Sequence, residues 1–294
     1  MFRRIIAGFV SLLFVTHAAV AVDCPESNVD VERLVIAGGS ITEIVFELGA
    51  ESLLVAVDST SNYPMAAAHL PQIGYVRALS AEGVLSRSPS LVIGEDDTGP
   101  PEVLAQLKAA GVEVAIVAEQ YDAAGVINKV RCVAQLIGRE STAEKYIADT
   151  LMPAAESLNR NASKGRKPRG MVLLGIRDGT IIAAGKGTSG EGLLALMTAT
   201  NALDNVAGWK PISVESMLLS DPDFLVIPQR GLDAAGGIDG LLAHPTLRLT
   251  KAAQARQVYA MDGMAMLGFG PRTLESAARL SAAIRTSTNQ PSIN

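Results

Sequence analysis

Arg77-Ala-Leu-Ser-Ala-Glu-Gly-Val-Leu-Ser-Arg-Ser-Pro89 leads into an apolar stretch, and Lys210-Pro-Ile-Ser-Val-Glu-Ser-Met-Leu-Leu-Ser-Asp-Pro222 leads into another. Five positions of the first segment recur 133 residues later: a basic residue, a serine, a glutamate, a leucine and a proline. A repeat at so long an offset predicts two similar lobes with a cleft between them, because solenoids repeat every 20 to 50 residues or so. The copies differ just upstream, where the first has Tyr75 and the second has Gly208.

Short apolar segments alternate with helical patterns along the chain. Strands are predicted near 33–37, 53–57, 91–93 and 112–117, with helices between them, and the first helix begins at the capping-box pattern Ser40-Ile-Thr-Glu43. This alternation is typical of parallel sheets with right-handed crossovers. The fold class predicted is therefore α/β, with two Rossmann-like lobes.

One long amphipathic helix is predicted between the lobes, with Pro153 as a position where it could kink. The organisation we expect is a signal peptide at 1–21, an N-terminal lobe at 22–140, a connecting helix at 141–164 and a C-terminal lobe at 165–294. A helical connector resists large hinge motion, so we expect only modest closure of the cleft.

The N-terminus has the pattern of an export signal. Arg3 and Arg4 precede a short apolar run, and Ala19-Val-Ala21 fits a cleavage site. Removing two arginines and no acid would change the net charge from -5 to -7, which disfavours nucleic acid as a partner. In an oxidising compartment Cys24 and Cys132 either pair or remain free thiols.

The residue inventory gives little support for catalysis. Of three histidines, only His69 and His244 lie beyond the predicted signal, which is too few for a cage built on several histidines. There is no Walker A loop, no full dinucleotide fingerprint and no Gly-x-Ser-x-Gly elbow. A binding protein is therefore favoured over an enzyme.

Tyr75 lies directly before the predicted helix that Ser80 caps, at the end of a parallel sheet where ligands bind. A guanidinium such as that of Arg77 favours the phenolate, and a hard phenolate oxygen suits ferric iron. The alternative from spacing alone is that the Tyr75 ring packs at the edge of the lobe.

Further candidates follow predicted strands of the second lobe. Arg230 and Arg177 are placed at strand ends, where a guanidinium fork would suit a ligand carboxylate, although a solvated surface role is the alternative. Met264, Met266 and Phe269 are predicted to form an apolar loop against a flat ligand, with core packing as the alternative.

Four ordered motifs carry a family resemblance: Gly39-Ser-Ile-Thr-Glu43, Asp58-Ser-Thr-Ser-Asn-Tyr-Pro64, Gly74-Tyr-Val-Arg-Ala-Leu-Ser-Ala-Glu-Gly-Val-Leu85 and Leu267-Gly-Phe-Gly-Pro-Arg-Thr273. Together they resemble the periplasmic haem-binding proteins of bacterial ABC haem importers. The wider group includes cobalamin and ferric-siderophore binders and has two Rossmann-like lobes bridged by one long helix.

The resemblance implies a role for each candidate. Tyr75 would be the axial ligand of ferric haem b, Arg77 would support the tyrosinate or pair with a propionate, and Arg230 would contact a propionate. Glu82 and Glu215 would dock onto an inner-membrane ABC permease with its ATPase. A periplasmic monomer is expected, and a corrinoid or ferric siderophore is the alternative ligand.

Some relatives hold two stacked haems, the second on a histidine of the second lobe. Residues 174–179 of this chain contain no histidine, so one haem per chain is predicted.

Overall fold

The computed structural model describes residues 24–160 and 166–288, so the predicted signal peptide lies outside it. The described residues form two main sheets and one hairpin. The strands are β1 Leu34–Ala37, β2 Leu54–Val57, β3 Gly74–Tyr75, β4 Ala78–Leu79, β5 Leu91–Glu95, β6 Glu113–Val117, β7 Arg169–Arg177, β8 Thr180–Ala184, β9 Thr200–Asn201, β10 Trp209–Pro211, β11 Phe224–Pro228 and β12 Val258–Met261.

Helices connect these strands and cover both faces of the sheets. They are α1 Gly39–Glu47, α2 Ala81–Leu85, α3 Pro101–Ala109, α4 Ala123–Ile137, α5 Glu140–Tyr146, α6 Met152–Arg160, α7 Ser189–Leu196, α8 Val214–Ser220, α9 Gln229–Ala234, α10 Gly237–Leu242, α11 Lys251–Gln254, α12 Gly263–Leu267 and α13 Thr273–Thr288. Two turns of 3₁₀-helix, Glu51–Leu53 and Ala67–His69, complete the set.

The sheet of the first lobe is fully parallel, in the order β2-β1-β5-β6. Its central strands are buried on both faces, which explains their continuous apolar sequence. The sheet of the second lobe is mixed, in the order β10-β8-β7-β11-β12, with β9 beside β7. The antiparallel strands β8 and β10, of which β10 is at the edge, depart from the predicted alternation of strands and helices, because β7 turns back directly through Asp178 and Gly179, both at positive φ.

The two copies of the repeat have the same local structure. Ser80 accepts a hydrogen bond from the Gly83 amide at 3.0 Å to cap α2, and Ser213 accepts one from the Ser216 amide at 3.1 Å to cap α8. Each helix is followed by a central strand, β5 or β11. The predicted repeat is therefore a repeated turn, capped helix and strand.

The connecting helix is continuous from α5 to α6 through a π-helical turn at Ile147–Leu151. In that turn the Met152 amide donates to the Ile147 carbonyl, five residues back. The wider turn lies immediately before Pro153, whose ring would otherwise crowd the carbonyl four residues earlier. The helix therefore passes the proline without ending.

One apolar core extends across both lobes. It contains Ile36 and Ile93 of the first sheet together with Val172 and Val226 of the second, and Leu274 of α13 packs in the same cluster. The neighbouring strand positions point the other way and form two separate outer clusters, as the alternation of side chains in a strand requires. The lobes are thus joined by shared packing as well as by the connecting helix.

A disulfide joins Cys24 to Cys132 of α4, so the first described residue is tethered to a buried helix. This result selects pairing over free thiols. Among the described residues, no helix is both long and apolar enough to cross a membrane.

The predicted capping box at α1 is wrong. Gly38 is the N-cap and no side chain caps the helix. Ser40 instead donates to Glu95, and Glu43 pairs with Arg272, 229 residues away in the chain. Both side chains at α1 are buried, so long-range partners replace the local cap.

Candidate ligand-binding site

A cleft of about 330 Å³ opens between the carboxyl ends of strands from both lobes, within the size range of small-ligand sites. Parallel sheets place their ligand sites at this end, because the loops that follow the strands converge there. The first lobe contributes Ser59, Thr60, Asn62 and Tyr75, and the second contributes Pro228, Gln229, Arg230, Asp262, Gly263 and Met264.

Tyr75 is presented to the cleft by the tight hairpin of β3 and β4, in which it pairs with Ala78. Gly74 adopts a φ of 98°, a conformation that L side chains rarely take, and its carbonyl accepts a 2.8 Å hydrogen bond from the Ser59 amide. The Val76 side chain beside it is buried and anchors the turn. The Tyr75 ring remains 45% exposed, so its phenol is available to a ligand.

Arg77 lies at the tip of the same hairpin and pairs with Asp97. Its Nε and Nη2 atoms lie 2.7 Å and 2.6 Å from the same oxygen, Oδ2. Partial burial acts to lower the pKa of Arg77, but the hydrogen bond and charge of Asp97, with smaller contributions from Tyr75 and Tyr121, raise it above its usual value. The guanidinium therefore stays charged within electrostatic reach of the Tyr75 phenol.

Arg230 faces the cleft from the second lobe. It is the second residue of α9, directly after the buried strand β11, and its side chain is exposed. Gln229 beside it is held by a 2.7 Å hydrogen bond to Asp233. A guanidinium and a phenol thus line one cleft from opposite lobes.

Met264 is the apolar contact that the second lobe places in the cleft. Asp262 caps α12 by accepting hydrogen bonds from the Met264 and Ala265 amides at 3.1 Å and 3.0 Å. The Met264 methyl group packs so closely on Gly39 that a Cβ there would lie 2.5 Å from it. A Cβ at Gly39 would also lie 2.7 Å from the Thr60 carbonyl oxygen, so the close approach of this backbone segment disfavours a side chain at position 39.

Two of the predicted ligand contacts are corrected by their burial. Met266 and Phe269 have no exposed surface and belong to the shared core, where Phe269 packs against Tyr121 at a ring distance of 5.2 Å. The segment that begins at Met264 is a short helix, α12, rather than a loop. Helical spacing turns Met264 outward and Met266 inward, so core packing accounts for Met266 and Phe269.

Four other candidates lie outside the set of residues that line this cleft: Arg77, Arg177, His69 and His244. Arg177 is exposed at the end of β7 in the β7–β8 hairpin. His69 ends a 3₁₀ turn, and the His244 ring nitrogen Nε2 lies 3.1 Å from the Gly179 carbonyl oxygen.

Tyr121 is a second phenol close to Arg77, but its environment differs from that of Tyr75. Burial, the charge of Glu119 and a hydrogen bond to Glu119 raise the pKa of Tyr121 to about 12. Its proton is therefore held firmly at neutral pH. Of these two phenols, Tyr75 is the one exposed in the cleft, and no carboxylate of a described residue bonds it.

Two cations clamp the second lobe onto the first beneath the cleft. Arg272 bonds Glu43 of α1 and the cleft residue Asp262, and its guanidinium lies 3.8 Å from the centre of the Tyr63 ring. Lys129 of α4 is almost fully buried and donates to Ser40, to Glu119 and to the Gly268 carbonyl at 2.9 Å. Arg272 and Lys129 both hold the turn between α12 and α13, which carries part of the cleft wall.

Glu95 completes the buried network below α1. It accepts a 2.5 Å hydrogen bond from Ser40 and lies against Gly38 so closely that a Cβ at this glycine would clash with the carboxyl group. Burial, opposed by Lys129 but assisted by Glu119, raises the pKa of Glu95 to about 7. No sequence motif identified this residue, because its partners come from three separate segments.

Glu82 and Glu215 occupy matching places on the two lobes. Each is exposed in the first turn of its capped helix, α2 or α8, where the helix dipole favours a carboxylate. Neither forms an ion pair with a described residue.

Residues 34–265 match the family model described as Periplasmic binding protein. The chain belongs to the periplasmic binding protein family. One similar solved structure is the periplasmic heme-binding protein RhuT from Roseiflexus sp. RS-1 in apo form, with 37% identity, 88% of this chain and 99% of that chain covered, and a TM-score of 0.82. Another is the periplasmic heme-binding protein BhuT in complex with two hemes, with 32% identity, 87% and 98% covered, and a TM-score of 0.81.

A curated relative of this periplasmic binding protein is the uncharacterized ABC transporter substrate-binding lipoprotein YvrC of Bacillus subtilis (strain 168). It is 22% identical over 264 residues, which cover 87% of this chain and 81% of the relative. The α/β fold and the two-lobed architecture therefore agree with a family of binding proteins.

Proposed function

We propose that this periplasmic binding protein carries haem: it binds ferric haem b in the interlobe cleft and delivers it to an inner-membrane ABC permease and its ATPase. The observation that carries the proposal is the exposed Tyr75 phenol, which lines the cleft opposite Arg230 and lies two residues from the charged Arg77. The similarity to solved haem-binding proteins over most of the chain supports it.

The cleft chemistry fits haem as a transported substrate. A hard phenolate oxygen suits ferric iron, and Arg230 would bind a propionate carboxylate by charge-assisted hydrogen bonds. Met264 supplies a polarisable apolar contact for the flat macrocycle. Arg177, exposed at the end of β7, is a further candidate for a propionate contact, although it does not line this cleft.

The proposed delivery of haem to the permease involves one acidic residue on each lobe. Glu82 and Glu215 are exposed, unpaired acids at matching places, which suits contact with two basic surfaces of a permease. The remaining elements of the proposal are export to the periplasm by a signal peptide at 1–21 and a monomeric carrier. No chemical bond in the porphyrin is made or broken.

The test is the absorption spectrum and haem affinity of Tyr75→Phe. The proposal expects wild-type protein with haemin to give a ferric high-spin spectrum with a tyrosinate-to-iron band, and Tyr75→Phe to lose that band. Tyr121→Phe is the matched control, because this second phenol near Arg77 is held protonated, and it should keep the band.

A corrinoid or a ferric siderophore is the competing ligand class, and neither requires the Tyr75 phenol. Parallel titrations with cyanocobalamin and a ferric hydroxamate would therefore separate the ligands. Unchanged haem binding by Tyr75→Phe, or tight cobalamin binding without haem binding, would refute the proposal.

A further inference from the structure

We propose that Asp97 is a positioning residue for the haem-iron ligand: it holds the Arg77 guanidinium in place beside Tyr75. The inference rests on the proposed function and adds a residue that none of the four sequence motifs contains. Asp97 is the second residue after β5, in the turn that faces the β3–β4 hairpin.

The contact between Asp97 and Arg77 is direct and well directed. Arg77 donates a 2.7 Å hydrogen bond from Nε to Oδ2 of Asp97, and its Nη2 lies 2.6 Å from the same oxygen as part of the ion pair. A hydrogen bond and an ion-pair contact to one carboxylate oxygen orient the guanidinium, and no described residue bonds its Nη1, which could therefore donate to a second anion. The Arg77 side chain is 63% exposed, so packing alone does not hold it.

The two turns that carry these side chains are themselves fastened together. The Gly99 amide donates to the Val76 carbonyl at 3.0 Å, and the Leu79 amide donates to the Gly99 carbonyl at 2.9 Å. These backbone bonds lie on either side of Arg77 in the hairpin and just beyond Asp97 in its turn. The carboxylate and the guanidinium therefore meet without ordering a loop, and little conformational entropy is lost when they pair.

The second oxygen of Asp97 strengthens the assignment to Arg77. Oδ1 is buried and has no hydrogen-bond partner among the described residues, so the polar contacts of this carboxylate in that part of the chain go to Arg77. Asp96, the preceding residue, has a different role: it accepts a 2.8 Å hydrogen bond from the Glu119 amide. Two adjacent acids thus differ in whether they contact Arg77.

The experiment is a double-mutant cycle on Asp97 and Arg77, read out by haem transfer to apomyoglobin and by the tyrosinate-to-iron band. Asp97→Ala should raise the haem dissociation rate by about fivefold, the upper range for a partly exposed ion pair, and should shift the band. In an Arg77→Ala background, Asp97→Ala should have no further effect on either readout. Asp97→Asn, which keeps an acceptor for Arg77, should restore most of the wild-type band.

Asp96→Ala is the matched control and should leave both readouts at their wild-type values. The inference is overturned if Asp97→Ala behaves like wild type, or if its effect persists when Arg77 is absent. Failure of the proposed function is distinct, because the wild-type protein would then show no tyrosinate-to-iron band.

Discussion

Replacement of Glu95 by glutamine should change how stability depends on pH. Glu95 is buried against α1 and keeps its Ser40 hydrogen bond in either protonation state. Glutamine has the same shape, accepts the same hydrogen bond and carries no charge. Lys129 retains Glu119 and the Gly268 carbonyl as partners, so the substitution leaves no buried cation unpaired.

The sign follows from the two pKa values. An ordinary glutamate titrates near 4.5, whereas the pKa of Glu95 in the folded protein is about 7. Between these two pH values Glu95 is protonated in the folded protein but ionised in the unfolded chain. The contribution of Glu95 to the free energy of unfolding is therefore fully present below pH 4.5 and is lost as the pH rises through 7. The difference between these two pKa values corresponds to a change of about 3 kcal/mol at most in the free energy of unfolding.

The assay is urea unfolding of wild type and Glu95→Gln at several pH values from 4.5 to 8. The variant should gain stability relative to wild type as pH rises, by up to about 3 kcal/mol across the range. Glu102→Gln, at an exposed position in the first turn of α3, is the control and should show no such trend. A difference between Glu95→Gln and wild type that stays constant with pH would refute the reasoning.

Three further predictions concern other parts of the molecule. Cys24→Ser should lower the free energy of unfolding by up to about 4 kcal/mol, because the disulfide closes a loop of 108 residues. Urea unfolding measures this change, and adding reductant should not lower the stability of the variant further. Titration of apo-protein with haemin should break at one equivalent, and a break at two would refute the single-haem prediction. Combining Glu82→Ala with Glu215→Ala should abolish stimulation of the reconstituted permease ATPase while haem affinity is unchanged; undiminished stimulation would exclude these acids as docking residues.

Local chemistry explains which elements could be predicted from the sequence. Ser80 and Ser213 cap helices because a serine before a turn bonds the amide three residues on, whatever the rest of the chain does. Glu43 has an equally good local pattern, but burial brings it to Arg272, and the distant pair replaces the cap.

The same limit applies to the site. Tyr75 and Arg230 could be proposed because strand ends converge on a cleft, and both line it. Met266 and Phe269 could not be assigned correctly, since apolar residues look alike in sequence whether they face a ligand or the core. The sequence does not single out Asp97, because its proposed role depends on a contact with Arg77, 20 residues earlier.

The apolar core that contains Ile36 of the first lobe and Val226 of the second has a consequence for the heat-capacity change of ligand binding. A binding protein that closes on its ligand buries apolar surface between its lobes, and this burial appears as a negative heat-capacity change. Here apolar residues of both lobes already belong to one shared core. We therefore expect ligand binding to show only a small negative heat-capacity change, because a shared core leaves little apolar surface to be buried by bringing the lobes together.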